Sequence, residues 1–156
     1  MKTYAFAATL ALALTLIATP AVAQTASDKE AVRQAALDYV EGIYTGDTSR
    51  IERSVHKNLT KRGFWREATD SAYRPESVMT FDQLMKLTAA WNKDGKRDTS
   101  LKQVTVLDVL DKTASAKVVA MWGIDYMHLA KYDGRWQIIN IVWQAHPPKA
   151  QPTAQR

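Results

Sequence analysis

The chain has 156 residues, a formal charge of +5 at pH 7, 46% hydrophobic and 24% charged residues, and no cysteine. That length accommodates one domain of ordinary size, and the apolar content excludes a disordered chain. The missing cysteines exclude a disulfide scaffold, a thiol nucleophile, a zinc–thiolate site, an iron–sulfur cluster and a lipoprotein anchor.

Lys2 precedes an uncharged apolar run over residues 5–18, and Ala21-Val22-Ala23 supplies small residues at alternate positions before Gln24. This layout predicts a cleaved signal peptide over residues 1–23 and a periplasmic or secreted protein that begins at Gln24. The alternative is a membrane-spanning helix. The apolar run falls short of the ~20 residues a bilayer requires, and Pro20 breaks its end, so no membrane span is expected after cleavage. No Arg pair precedes the run, which favours the general secretory route. Removal of 23 residues from 156 leaves 133, with 20 basic against 16 acidic side chains. So small an excess gives no basis for a nucleic-acid partner.

Along the mature chain, Ser27 with Glu30 has the spacing of a capping box at a helix start. Val32, Ala35, Ala36, Tyr39, Val40 and Ile43 follow as one apolar helical stripe. Gly46 supplies a left-handed stop, and Asp47 or Thr48 caps a short second helix through Val55. Residues 59–65 read as a short strand and residues 67–77 as polar and turn-like. Thr80 with Gln83 is a second capping box, opening a third helix with Phe81, Leu84, Leu87, Thr88 and Trp91 on its apolar stripe and Gly95 at its end. From Thr99 the pattern turns to β. Residues 101–110 and 116–129 read as two strands, the second bent by a bulge near Gly123. Asp133-Gly134 is a hairpin turn before a last strand over residues 136–144. The expected architecture is α+β: three N-terminal helices packed in a strongly curved antiparallel sheet that encloses a cone. The domain spans residues 24–146, and Pro147, Pro148 and Pro152 mark residues 147–156 as a flexible tail.

This order of elements resembles the nuclear transport factor two-like superfamily, which includes ketosteroid isomerase and the SnoaL-like polyketide cyclases. Ser54-Val55-His56, Lys61-Arg62-Gly63-Phe64, Asp125-Tyr126-Met127-His128-Leu129 and Gly134-Arg135-Trp136-Gln137-Ile138 resemble the family labelled "putative lumazine-binding". The resemblance covers residues 28–144. It implies a cone-shaped fold with a pocket, and a homodimer formed through the outer sheet face. It implies little about chemistry.

No GxSxG elbow, phosphate-binding loop, dinucleotide fingerprint or HExxH is present. His56, His128 and His146 lack metal-ligand spacing, so neither a metal nor a cofactor is expected. A two-residue turn at Asp133-Gly134 sets Leu129 against Ile138, Met127 against Asn140 and Asp125 against Val142. One face then carries Asp125, Met127, Leu129, Trp136, Ile138 and Asn140. The other carries Trp122, Ile124, Tyr126, His128, Ile139, Ile141 and Trp143, and its aromatics suit a dimer interface. A one-residue bulge at Gly134 would exchange these partners. Asp125, among apolar neighbours, is the candidate acid/base, with His56 at the end of the second helix or Asn140 assisting; Asp125 and His56 each have a structural alternative, an ion-paired strand-end carboxylate and a helix-dipole partner. Phe64, Trp91, Met127 and Asn140 are candidate ligand-binding residues, with core packing the alternative for the aromatics. The basic run Arg50, Arg53, Lys57, Lys61, Arg62 and Arg66 reads as a solvated surface, with guidance of an anionic ligand the alternative. The expected function is an exported binder of an unknown, partly apolar small molecule. The alternatives are an isomerase, dehydratase or cyclase using Asp125, and a structural or partner-binding module whose cone is filled. No Tyr/Asp oxyanion pair of the ketosteroid isomerase kind falls on matching positions.

Overall fold

A computed structural model describes residues 20–70 and 72–148. The predicted signal peptide and the end of the tail lie largely outside the described residues. The elements are helix α1 (Pro20–Thr45), helix α2 (Thr48–Ser54), strand β1 (Val55–Phe64), strand β2 (Ser77–Met79), helix α3 (Phe81–Ala90), and strands β3 (Lys102–Val109), β4 (Thr113–Ala120), β5 (Gly123–Tyr132) and β6 (Arg135–Gln144). The protein is α+β and cone-shaped, with three helices packed in a curved six-stranded sheet of order β2-β1-β6-β5-β4-β3.

The stripe on α1 behaves as its spacing requires: Val32, Ala35, Ala36, Tyr39, Val40 and Ile43 are all buried, and α1 packs on β3, β4 and β6. Its start differs from the expected one. The helix runs continuously from Pro20, so Ser27 and Glu30 lie within it rather than at its cap. Proline is tolerated at a first helical position, and the alanines that follow extend the helix backwards. Asp47 caps α2 by accepting from the Ser49 amide at 3.0 Å. Thr80 and Gln83 form the reciprocal capping box of α3.

Several sheet features depart from the sequence pattern: β1 starts at Val55 rather than Leu59, and the short β2 lies at the end of the segment read as turn-like. Residues 116–129 are not one bent strand: β4 and β5 are separate, and Ala120 pairs with Gly123 across a tight turn at Met121-Trp122. Those two residues carry no turn signature, because the turn is held from outside the segment. The Tyr44 hydroxyl accepts from the Met121 amide at 2.8 Å, and Trp122 packs inward. Gly123 has φ +146°, and a Cβ there would stand 2.0 Å from the Gln144 carbonyl oxygen. The sheet is also mixed rather than wholly antiparallel, since β1 runs parallel to β6.

The Asp133-Gly134 hairpin forms as expected, with Tyr132 opposite Arg135 and Leu129 opposite Ile138. Beyond that point a bulge intervenes, at Ile139 rather than Gly134. Asn140 then faces His128, Ile141 faces Met127, and Trp143 faces Asp125. One extra residue inverts the facing of the rest of the strand. Asn140 therefore leaves the inner face, and Ile141 and Trp143 join it.

Candidate functional site

A cavity of about 330 Å³ lies between the sheet and the helices and is lined by Ile43, Lys61, Trp65, Met79, Leu87, Trp91, Arg97, Trp122 and Trp143. Four of the five tryptophans of the chain meet there. Each arrives by a different route. Trp122 is carried by the β4–β5 turn and stands edge-on to Tyr44 and Trp91, with ring centroids 5.4 and 5.6 Å apart. Trp91 ends α3. Trp143 turns inward through the β6 bulge and lies over Gly63, its partner on β1, where a Cβ would come within 2.2 Å of the indole. That close approach explains a glycine inside a strand. Trp65 follows β1, tilted against Trp143 at 6.5 Å.

At the inner end, Lys61 is only 5% exposed and Asp125 fully buried. The ammonium Nζ donates to Asp125 Oδ1 at 3.3 Å and to the Tyr39 hydroxyl. The second carboxylate oxygen accepts from Trp122 Nε1 at 2.8 Å. Both charges are thus taken out of water together with partners for their polar atoms, the condition under which a buried pair is tolerated. Burial, and secondarily the Asp125 charge, raises the Tyr39 phenol well above its usual value near 10, so it remains a neutral acceptor for Lys61. The ammonium also lies 5.4 Å from the centre of the Trp143 ring. Lys61 lines the cavity; Asp125 stands behind it and does not.

The structure separates the residues singled out by sequence. Trp91 lines the cavity. Met127 is on the inner face, but packed into the hydrophobic core. Phe64 is 40% exposed on the outer face, because β1 alternates Lys61 in, Arg62 out, Gly63 in. Asn140 is on that outer face too; its amide donates to the Thr60 carbonyl, and its side-chain oxygen lies 3.2 Å from His128 Nδ1. His56 stacks on Tyr132, with centroids 4.5 Å apart, and accepts from the Asn58 amide at 3.1 Å. Tyr132 ends β5, whereas Asp125 lies near its start, so His56 and Asp125 do not meet. Of the aromatics assigned to an outer interface, only Tyr126 is there; Trp122 and Trp143 are cavity walls.

The basic run is likewise no uniform surface. Lys61 and Arg66 are buried. Arg50 and Arg53 converge on Asp38, at 3.1 and 2.7 Å. Arg66 donates to the carbonyls of Asp70 at 2.7 Å and His146 at 3.0 Å, strapping the segment after β6 to the loop after β1. Sequence reasoning missed Lys61, Trp65 and Arg97. Two signals pointed to Lys61: its even spacing from buried Leu59 and from a strand glycine.

The model of the family described as "Putative lumazine-binding" matches residues 27–144. The chain belongs to this family. Among solved structures it is similar to a nuclear transport factor two-like protein from Silicibacter pomeroyi, at 16% identity, covering 78% of this chain and 98% of the other with a TM-score of 0.60. A nuclear transport factor two-like protein from Shewanella baltica matches at 16% identity, with 78% and 96% covered and a TM-score of 0.59. A protein of this type with a cystatin-like fold from Novosphingobium aromaticivorans matches at 13% identity, with 88% and 94% covered and a TM-score of 0.59. At such identities these likenesses establish the fold alone, a nuclear transport factor two-like cone. No curated protein matches the chain by sequence.

In this member of the family, no group of three or more His, Asp or Glu side chains is placed to hold a metal ion among the described residues. No described helix is long and apolar enough to cross a membrane. The cavity offers flat apolar walls, one ammonium held by a carboxylate, and one guanidinium, from Arg97, set 4.4 Å from the centre of the Trp91 ring.

Proposed function

We propose that the protein is an exported binder of a small, partly apolar molecule, held in the tryptophan-lined cavity. The observation that carries this reading is the meeting of four tryptophans around about 330 Å³ of space with Lys61 at its inner end. That volume is at the lower end of the roughly 300–1,000 Å³ common for ligand pockets, and apolar walls with few polar groups are their usual lining. The unfilled space counts against a structural module with a filled cone. Catalysis by Asp125 has less support than binding, because its carboxylate is occupied by Lys61 and Trp122 and does not reach the cavity.

The label of the family agrees with a small-molecule ligand. Export rests on the residue 1–23 pattern, and cleavage after Ala23 would remove one turn of α1 while leaving its buried stripe intact. Homodimerisation is part of the same reading, through a revised set of residues. Tyr126 and Val142 are neighbours on the outer sheet face, 50% and 44% exposed, with Val78 and Phe64 extending the patch across β2 and β1. A second copy seated there would cover it.

Mass spectrometry of small molecules released from the purified mature protein tests the binding reading. A Leu87→Trp variant, which fills the cavity, is the control. A compound released by the wild type and absent from the variant is the expected result. Identical extracts, together with unchanged tryptophan fluorescence after mild denaturation and refolding, would count against it.

A further inference from the structure

Charge accounting within the cavity narrows the ligand. Two cations line it, but they are not equivalent. The charge of Lys61 is met by Asp125, and its ammonium donates to Tyr39 as well. Arg97 has no carboxylate within ion-pairing distance among the described residues. The acids of its own loop are engaged elsewhere: Asp94 lies 3.7 Å from Lys96 Nζ, and Asp98 accepts from the Ser100 amide at 2.8 Å. The bonds to Ser100 hold the Asp98 carboxyl below its usual value.

The position of Arg97 is set by its backbone. Its amide donates to Asn92 Oδ1 at 3.0 Å, and Asn92 in turn donates to the Tyr44 carbonyl, tying the loop after α3 to α1. The guanidinium is laid on the Trp91 ring, which leaves its N–H edge available to a ligand. The indole N–H of Trp91 is buried and has no acceptor among the described residues. The cavity thus combines flat indole walls with one positive charge that no carboxylate of the described residues meets.

Building on the pocket reading above, we propose that the cavity selects planar aromatic anions, whose ring lies among the tryptophans and whose anionic group is held by Arg97. A carboxylate suits the guanidinium edge, since parallel N–H donors match two carboxylate oxygens.

The probes are 2-naphthoate, its neutral analogue 2-naphthylmethanol and the cationic 2-naphthylmethylammonium, titrated calorimetrically into the mature protein at low salt. Naphthoate is expected to bind about ten-fold more tightly than the alcohol, the scale of one charge-assisted hydrogen-bonded contact, and the ammonium most weakly. Added salt should weaken naphthoate and leave the alcohol unchanged. Arg97→Gln, at an exposed position, should bring naphthoate to within about two-fold of the alcohol while the far-ultraviolet circular dichroism is unchanged. Equal binding of acid and alcohol by the wild type would overturn this inference and leave the pocket reading standing. A preference for naphthoate that survives Arg97→Gln would also overturn it. Failure of all three compounds to bind would overturn the pocket reading and this inference with it.

Discussion

Replacing Lys61 by Met tests the buried pair at the inner end of the cavity. Methionine keeps the length and fills the space among Trp143, Tyr39 and Leu59 without a charge. It leaves Asp125, fully buried, with one donor, Trp122 Nε1. At 3.3 Å and an effective dielectric constant near 20, the attraction between the charges is about 5 kcal/mol. Relief of the ammonium's own desolvation offsets part of that. Removing one partner of a buried pair commonly costs about 3–5 kcal/mol; the adjoining cavity admits water, which places Lys61→Met near 3. Asp125→Asn should cost less, about 2 kcal/mol, since the amide still accepts from Trp122 and the ammonium can turn toward the cavity. In the double variant no charge is stranded, so its loss should be about 2–3 kcal/mol smaller than the sum of the single losses. Urea unfolding followed by circular dichroism at 222 nm measures all three, avoiding fluorescence from tryptophans that surround the site. Simple additivity would refute the pairing of Lys61 with Asp125.

Asp28 accepts from Lys131 at 2.6 Å and from Trp136 Nε1 at 3.1 Å, and these bonds hold its carboxyl below 3.8. The stability it contributes is full above that value and disappears as pH falls through the lowered one, so Asp28→Asn should flatten the acid limb of a stability–pH profile below about pH 4. Gly123→Ala should cost at least about 3 kcal/mol or prevent folding, because φ is +146° and the obstructing atom is a backbone oxygen; a near-normal melting temperature would contradict the β4–β5 turn. If the outer face carries the proposed dimer, light scattering should show a dimer for the wild type and for Trp143→Phe, in the cavity wall, and a monomer for Tyr126→Glu. In a Gram-negative host, amino-terminal sequencing of periplasmic protein should begin at Gln24.

The helices were legible because their signals are local. The stripe from Val32 to Ile43 and the capping box at Thr80 depend only on residues three and four apart, and the Asp133-Gly134 turn depends on two residues that accept positive φ. Their order carried the resemblance to the conical fold, and short motifs such as Lys61-Arg62-Gly63-Phe64 carried the resemblance to the family. The site was not legible in the same way. Strand facing has a period of two, so the single bulge at Ile139 sent Asn140 outward and Trp143 inward. The turn at Met121-Trp122 is stabilised by Tyr44, 77 residues earlier, a contact no local pattern encodes. Lys61 is spelled as one more cation in a basic run. Its burial depends on Asp125, 64 residues away, and on Tyr39, which α1 brings to the same point. Local sequence determined the elements and their order, because hydrogen-bonding and apolar periodicities act over a few residues. Tertiary structure decided which charges are paired and which rings line the cavity, because desolvation and pairing depend on what folding brings together.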